Sequence, residues 1–210
     1  MSGVRIVIFA KAPLPGLAKT RLIPSLGVQG AAGLARRMLI HALGQALAAD
    51  VGPVELCVTP SPIEAVWQTL PVPAIVAWSD QGVGDLGARM ARAARRVTSA
   101  AESILLIGTD CPELDAAHLR RAAESLRSFD ATLFPTADGG YVLLGLNRYH
   151  ASLFEGIEWS SDSVASETLR RLEHLGWTVQ TNPALHDIDE PADLSLLPQA
   201  WFEPVHEHGM

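Results

Sequence analysis

A short segment rich in cations and turn residues is the first candidate for chemistry. It reads KAPLPGLAKTRL from residue 11 and holds three cations, no acid and both lysines of the 210-residue chain. Its prolines fix φ, its glycine permits close backbone approach, and its polar groups can donate hydrogen bonds to phosphate oxygens. It matches neither GxxxxGK[ST] nor GxGxxG, so the spacing favours neither a P-loop nor a dinucleotide site. The composition indicates a polyphosphate-binding loop, with an ordinary surface loop as the alternative; the candidates are Lys11, Pro13, Gly16, Lys19, Thr20 and Arg21.

Carboxylates in two later segments could bind a metal ion. Asp110 follows the apolar run ILLIGT, where an uncompensated charge is costly, so it needs a cation, a metal or a helix N-terminus as partner. Asp187 and Asp189, in DIDEPADL, alternate on one side of an extended segment. With Asp110, either could complete an oxygen site for Mg²⁺ or Mn²⁺ that also uses substrate phosphates. Helix capping is the alternative for Asp189 and the expected role of Asp115.

Two glycine-containing segments carry further candidates. GVGDLGARM offers Asp85 and Arg89 to a nucleotide, whereas the other arginines of the following helix have the spacing of a solvent-exposed face. ADGGY places a carboxylate and a flexible turn beside the same edge of the fold, where it could bind an acceptor or form an ordinary turn. His206 and His208 form a weak metal-binding pair. The candidate acceptor-binding residues are Asp138, Gly139, Gly140 and Tyr141.

These segments follow short apolar runs that predict β-strands, and stretches with helical periodicity lie between the runs. The alternation predicts a single α/β domain over residues 1–210, in which helices cover both faces of a mostly parallel sheet. Ligands of such sheets bind beyond the carboxyl ends of the strands, so the candidate segments should meet there. The ADGG sequence between the fifth and sixth strands indicates a hairpin or a bend. The predicted strands are 4–10, 54–59, 74–78, 104–109, 131–136, 141–146 and 177–181, and the predicted helices are 28–49, 62–70, 86–100, 115–128 and 162–175.

Composition limits the partners of the chain. A net charge of −7 argues against a general binder of nucleic acid or of anionic membranes, and no apolar run is long enough for a membrane span. The charges are unevenly spread, because residues 1–49 contain no acid and residues 172–210 contain no lysine or arginine. Cys57 and Cys111 are set apart in apolar surroundings and do not indicate a disulfide. We therefore expect a cytoplasmic protein with small-molecule partners.

Six motifs in order resemble the glycosyltransferase-like family called radical-SAM/selenodomain-associated transferases: KAPLPGLAKTRL, GDLGARM, GTDCPEL, PTADGGYVLLGL, WSSDSV and DIDEPADL. The resemblance covers residues 4 to about 195 and implies a Rossmann-like GT-A fold, a three-layer sandwich shared with nucleotide-diphospho-sugar transferases, molybdenum-cofactor nucleotidyltransferases and 2-phospholactate guanylyltransferase. It also implies that Asp110 is the main metal ligand, with Asp187 or Asp189 as the carboxyl-terminal one. The Asp-x-Asp pair common in GT-A glycosyltransferases is missing, because Cys111 and Pro112 follow Asp110 and the second carboxylate must come from elsewhere. The resemblance matches Lys11, Gly16, Lys19 and Arg21 to the phosphate-binding loop.

Three functions fit these residues. The first is Mg²⁺-dependent nucleotidyl transfer from an NTP to a small phosphorylated or hydroxyl acceptor, with Lys19, Arg21 and Asp110 as catalytic residues and pyrophosphate as the leaving group. The second is glycosyl transfer from a nucleotide-diphospho-sugar at the same site. The third is a nucleotide-binding module without turnover. Three cations suit a triphosphate better than a diphosphate, which favours the first function.

Overall fold

The computed structural model describes residues 3–159, 161–197 and 201; His206 and His208 lie outside them. Strands β1 to β7 span Val4–Lys11, Val54–Thr59, Ala77–Asp80, Ser103–Ile107, Ala131–Pro135, Tyr141–Leu146 and Val179–Thr181. Helices α1 to α4 span Ile23–Ala49, Leu86–Ser99, Ala116–Ser125 and Val164–His174. Short 3-10 turns cover Thr20–Leu22, Ala65–Thr69, Ala151–Leu153 and Pro191–Leu196.

The strands form one sheet in the order β3-β2-β1-β4-β6-β5-β7. β6 is antiparallel to both of its neighbours, and every other neighbouring pair is parallel. β6 reverses direction because the short turn after β5 leaves no room for the crossover helix that a parallel strand would need. The predicted mostly parallel sheet is therefore confirmed, and the ADGG segment forms the predicted hairpin.

Helices cover both faces of the sheet, as alternate residues of the central strands show. In β1, Ile6 and Ile8 belong to the core that packs against α1 and α3, whereas Val7 belongs to the core that packs against α2 and α4. All three side chains have no exposed surface. A strand that is buried on both faces needs a continuous apolar sequence, which explains the run VRIVIFA. The predicted three-layer sandwich is confirmed.

The segment between β2 and β3 differs from its prediction. The expected helix over residues 62–70 is reduced to the 3-10 turn Ala65–Thr69, and β3 lies at Ala77–Asp80 rather than at 74–78. Prolines at positions 60, 62, 71 and 73 flank this stretch, and proline removes the N–H groups that a regular helix or a strand ladder would use. α1 also extends to Ile23, although Gly27 breaks its regular geometry at φ 70° just before the predicted start.

Several charged side chains have structural roles. Asp115 caps α3 as predicted, since its Oδ1 accepts a hydrogen bond of 2.9 Å from the His118 N–H. Arg96 lies on an exposed helix face, as predicted, and it pairs there with Glu55, whose side chain is only 3% exposed. A buried carboxylate without a cation would be costly, so this pair compensates the charge of Glu55.

The two cysteines, Cys57 and Cys111, are free and buried. Burial raises the pKa of the Cys111 thiol to about 12, so this side chain is a thiol and not a thiolate at neutral pH. No helix in the described part of the chain combines the length and the apolar character that crossing a membrane requires.

Candidate nucleotide and acceptor site

The main cavity of the described residues lies beyond the carboxyl ends of the central strands. Its volume is about 690 Å³, which is enough for a nucleotide-sized ligand. Lys11 at the end of β1, Asp110 after β4 and Asp138 in the β5–β6 turn all line it. The structure thus brings together the three segments that the sequence placed at this edge. The predicted site residues on its wall are Lys11, Lys19, Thr20, Arg21, Arg89, Asp110, Asp138, Gly140, Tyr141 and Asp189.

Lys19 links the cation-rich loop to the carboxylates. Its Nζ lies 2.6 Å from Asp110 Oδ1 and 2.7 Å from Asp189 Oδ1, and it donates a hydrogen bond of 2.5 Å to the Ile188 carbonyl. Its side chain is only 7% exposed. The backbone of Lys19 adopts the left-handed conformation, at φ 47° and ψ 46°, just before the 3-10 turn Thr20–Leu22. A left-handed lysine is uncommon, and here it occurs where the loop turns into the acidic side of the cavity.

The surroundings of Lys19 keep its ammonium charged. Burial by itself lowers the pKa of this group, but the charges of Asp110 and Asp189 outweigh burial, and the net pKa is raised. Because the folded pKa lies above the ordinary value, the ammonium stays protonated throughout the physiological range. Lys19 is therefore a permanent cation that partly neutralises two carboxylates.

The other cations of the site remain available to an anion. Lys11 is exposed, and its side chain makes no hydrogen bond or ion pair with the described residues. Arg21 is 65% exposed and pairs with the equally open Glu190 at 3.2 Å. Arg89 donates to the Gly84 carbonyl at 2.8 Å and to Gln81 Oε1 at 3.3 Å, so only neutral groups hold it. Phosphate oxygens could reach these groups without first breaking a buried ion pair.

The capping alternative for Asp189 is not what the structure shows. Glu190, the next residue, is the N-cap of the 3-10 turn Pro191–Leu196, and its N–H donates to Asp193 at 2.7 Å. The Asp189 side chain turns instead to Lys19. Asp110 likewise caps no helix, because Asp115 serves α3. Both carboxylates are thus free of structural capping roles.

Asp187 is half-buried beside other carboxylates. Burial is the main cause that raises its pKa, to about 6, and the negative charges of Asp138, Asp189 and Asp110 raise it further. This repulsion shows that the acids after β4, β5 and β7 lie close together in the fold. A cation bound near them would relieve this repulsion.

The fit of these oxygens to a metal ion is partial. No group of three or more His, Cys, Asp or Glu side chains within residues 3–159, 161–197 and 201 is arranged to hold an ion. Two carboxylate oxygens do converge, because Asp110 Oδ1 and Asp189 Oδ1 both contact Lys19 Nζ. Mg²⁺ commonly takes one or two protein carboxylates and completes its shell with water and substrate phosphates. The donor set fits an ion shared with a phosphate ligand, not one held by the protein alone.

Five predicted residues do not line the cavity. Asp85 caps α2 through a 2.8 Å hydrogen bond from the Ala88 N–H. Gly16 adopts φ 75° within the cation-rich loop, a conformation that favours glycine. Gly139 packs against the backbone of Asp162. The five are Pro13, Gly16, Asp85, Gly139 and Asp187.

The cavity residues that were not predicted include three with polar groups: Gln81, Trp159 and Asp162. Gln81 is buried and donates to the Ala10 and Cys57 carbonyls at 3.1 and 3.0 Å, which ties the ends of β1 and β2 together. It escaped notice because the predicted third strand ended too early, at residue 78.

Trp159 and Asp162 both belong to the WSSDSV motif, which spans residues 159–164. A Cβ added to Gly87 would lie 2.5 Å from Trp159 Nε1, so glycine is needed there. Gly87 of GDLGARM therefore packs against Trp159 of WSSDSV.

Comparisons with known proteins agree with this architecture. Over 95% of this chain and 88% of the other, the structure matches a protein of Desulfovibrio desulfuricans G20 provisionally described as a nucleotide-diphospho-sugar transferase, with a TM-score of 0.87 and 28% sequence identity. It also matches 4-diphosphocytidyl-2C-methyl-D-erythritol synthase of Anaerococcus prevotii DSM 20548, with a TM-score of 0.60, 11% identity and 93% and 94% of the two chains covered.

A third match is CMP:2-keto-3-deoxy-manno-octonic acid synthetase in complex with CTP, with a TM-score of 0.55, 13% identity and 93% and 96% coverage. At such identities the two synthetases show a shared fold alone. No curated protein sequence matches the chain. A family model described as "Uncharacterized protein conserved in bacteria (DUF2064)" matches residues 41–161, more than half of the chain. The protein therefore belongs to the DUF2064 family.

Proposed function

We propose that this protein is a transferase that uses a nucleotide donor, with nucleotidyl transfer from an NTP as the reaction. One observation carries the proposal: Lys19 holds Asp110 and Asp189 together at the edge of the sheet where Lys11, Arg21 and Arg89 are open to an anion. A nucleotide triphosphate needs such cations, and a hard metal ion bound to it needs such carboxylates. The fold shared with a CTP-bound synthetase and with 4-diphosphocytidyl-2C-methyl-D-erythritol synthase supports this interpretation.

In the proposed reaction, Lys11, Lys19 and Arg21 bind the triphosphate and orient it. An acceptor oxygen forms a bond to the α-phosphorus, and the bond from that phosphorus to the bridging oxygen of the β-phosphate breaks. Pyrophosphate leaves with the electron pair, and a hydroxyl acceptor passes its proton to Asp138. Positioning and charge compensation supply the catalysis, so no covalent enzyme intermediate is required.

A divalent ion, Mg²⁺ or Mn²⁺, is part of the proposal. Asp110 would hold it together with Asp187 or Asp189. When bound, the ion supplies positive charge to the phosphate oxygens. The carboxylates would then share two cations, the ion and Lys19, which compensates the acids better than Lys19 alone.

Glycosyl transfer from a nucleotide-diphospho-sugar is the second candidate. The description of the Desulfovibrio protein supports it, since that structure is similar over nearly the whole chain. The same cations would bind a diphosphate, and Asp138 would orient the acceptor hydroxyl. A nucleotide-binding module without turnover is the third. The narrower assignment to radical-SAM/selenodomain-associated transferases, with their relation to molybdenum-cofactor enzymes, stays a prediction.

A thermal-shift screen with the four NTPs and a panel of nucleotide-sugars, each with and without Mg²⁺, tests the proposal. We expect at least one NTP to raise the melting temperature, and to raise it more when Mg²⁺ is present, because a ligand that binds only the folded state stabilises it. Stabilisation by nucleotide-sugars alone would replace nucleotidyl with glycosyl transfer. No stabilisation by any nucleotide would contradict both, whereas binding without pyrophosphate release for any acceptor would favour the binding module.

A further inference from the structure

The cavity wall is divided by charge along the chain. Among the described lining residues up to residue 89 there are four cations and no acid; from residue 106 onwards there are four acids and no cation. We call the two parts the cationic half and the acidic half. The lining cations are Lys11, Lys19, Arg21 and Arg89, and the lining acids are Asp110, Asp138, Asp162 and Asp189.

Two acids of the acidic half have no cationic partner. Lys19 crosses from the cationic half and pairs with Asp110 and Asp189. Asp138 and Asp162 form no ion pair with any residue that the structure describes. One oxygen of Asp138 accepts hydrogen bonds from the Thr136 hydroxyl and the Gly140 N–H, and its second oxygen has no partner in the described chain. The Asp162 carboxylate has none there at all.

The backbone holds these two carboxylates in place. Gly139, between Asp138 and Gly140, has φ +92°, and a Cβ there would lie 1.9 Å from the Asp162 carbonyl oxygen. The Ala165 N–H donates to the Gly139 carbonyl at 2.9 Å. The β5–β6 turn and the start of α4 therefore touch directly, and each brings one carboxylate to the cavity.

A further polar group of the acidic half lacks a partner. The Trp159 Nε1 is buried and makes no hydrogen bond within the described chain. The Trp159 side chain lines the cavity. Native proteins rarely leave buried polar groups unsatisfied without a reason, so this half is suited to a polar ligand.

We propose that the acidic half binds a hydroxyl-bearing acceptor without a phosphate group, such as a free sugar or polyol, whose hydroxyls donate hydrogen bonds to Asp138 and Asp162. The inference rests on the proposed function, which assigns the cationic half to the donor phosphates. A phosphate ester beside Asp138 and Asp162 would face two carboxylates that no cation of the described chain pairs with. Hydroxyls instead supply the donors that ionised carboxylates need. The acidic half therefore favours a hydroxyl acceptor over a phosphorylated one.

Saturation-transfer NMR with matched pairs of probes tests this inference. The protein is saturated with Mg²⁺ and the α,β-methylene analogue of whichever NTP it binds, so that the cationic half is filled. The probes are glycerol and glycerol 3-phosphate, ribitol and ribitol 5-phosphate, and glucose and glucose 6-phosphate. In at least one pair we expect the alcohol to bind about tenfold more tightly than its ester, which corresponds to about 1.4 kcal/mol.

Two variants test whether Asp138 and Asp162 cause the preference for the alcohol over its ester. The double variant Asp138→Asn with Asp162→Asn keeps the shape of both side chains and removes their charge, so the preference should shrink towards equality. Glu173→Gln removes an exposed acid away from the cavity and should preserve the wild-type ratio. Tighter binding of the esters, no saturation transfer to any alcohol, or an unchanged ratio in the double variant would each overturn the inference.

Calorimetric titration of the nucleotide into protein without the analogue distinguishes a failure of the acceptor inference from a failure of the proposed function. If the nucleotide binds and the esters are preferred, the acceptor inference alone is wrong. If no nucleotide binds, the proposed function fails, and the acceptor inference falls with it. Circular dichroism of the double variant shows whether it keeps its fold; should it unfold, the single variants Asp138→Asn and Asp162→Asn provide the comparison.

Discussion

The cationic and acidic halves of the cavity differ in how their charges are compensated. In the cationic half, Lys11 and Arg21 are exposed and Arg89 is held by neutral groups, so these cations can accept an anion at little cost. Beside the acidic half, burial raises the pKa of Asp187, and the charges of neighbouring carboxylates raise it further. The cationic half can therefore bind an anionic ligand as it stands, whereas the acidic half has more negative charge than its cations compensate.

Lys19 is the exception that connects the two halves. It belongs by sequence to the cationic loop, yet its ammonium lies buried among oxygens of the acidic half. Lys11, eight positions earlier, is exposed. The two lysines of the chain therefore have different surroundings, and substitution can separate their effects.

The largest effect is expected from Asp110→Asn, which removes charge from the acidic half where we place the metal ion. The Mg²⁺ dependence of nucleotide binding should disappear, and turnover should fall by about 100-fold or more, the scale of losing a metal-site interaction. Thermal shift with and without Mg²⁺ and a pyrophosphate-release assay measure the two effects. Asp115→Asn is the matched control, because Asp115 caps α3 and contacts His118 without lining the cavity, and Asn is also a good cap. An Asp110→Asn protein that still responds to Mg²⁺ would remove Asp110 from the site.

Lys19→Ala should have the next largest effect, because it removes the link between the halves. We expect nucleotide affinity to fall by about 1.5–3 kcal/mol, the scale of charge-assisted hydrogen bonds. Mn²⁺ alone, titrated by electron paramagnetic resonance, should bind more tightly, since Asp110 and Asp189 lose their internal cation.

Arg21→Ala is the comparison for Lys19→Ala. Arg21 and Glu190 form an exposed pair, and such pairs contribute about 0–1 kcal/mol, so the loss of nucleotide affinity should be smaller. Calorimetry on both variants measures the two losses of nucleotide affinity. Equal losses would mean that burial of Lys19 has no bearing on binding.

The smallest effect concerns the half-buried Asp187, which lies beside the acidic half. The folded pKa of Asp187 is raised to about 6 from 3.8, so between these values the folded protein binds a proton that the unfolded chain does not. The free energy of unfolding should therefore fall as pH rises through this window. Because Asp187 is only half-buried, we expect the contribution to be below about 1 kcal/mol.

Urea unfolding at about pH 4.5 and about pH 7 measures this dependence. Asp187→Asn should flatten it, whereas Glu173→Gln should leave it as in the wild type. A slope that is the same with and without Asp187 would show that this carboxyl does not titrate in the window.

The fold could be predicted from the sequence because its signals are local and repeated. The run VRIVIFA is apolar at every position except Arg5, and only a strand buried on both faces explains such a run at that length. The segment around Trp67 could not be predicted in the same way, since prolines at its borders decide against a helix whose apolar spacing is present.

Parts of the site were visible in the sequence for a similar reason. Lys11, Asp110 and Asp138 each follow a predicted strand, and the carboxyl ends of neighbouring strands must lie at one edge of a sheet. Gln81, Trp159 and Asp162 were missed because none belongs to a charged or glycine-rich cluster that stands out alone. Their place depends on which loops touch, as the contact of Gly139 with Asp162 shows.

The sequence by itself determined the layers, the strand alternation and the opposite signs of the charges at its two ends, since each of these depends on residues that are near one another in the chain. Only the tertiary structure decided which charges are already paired. Lys19 and Asp189 are 170 positions apart, and their contact exists because β1, β4 and the segment after β7 end at one edge. Electrostatic interactions act over a few ångströms in space, so a sequence can state the charges but not their distances.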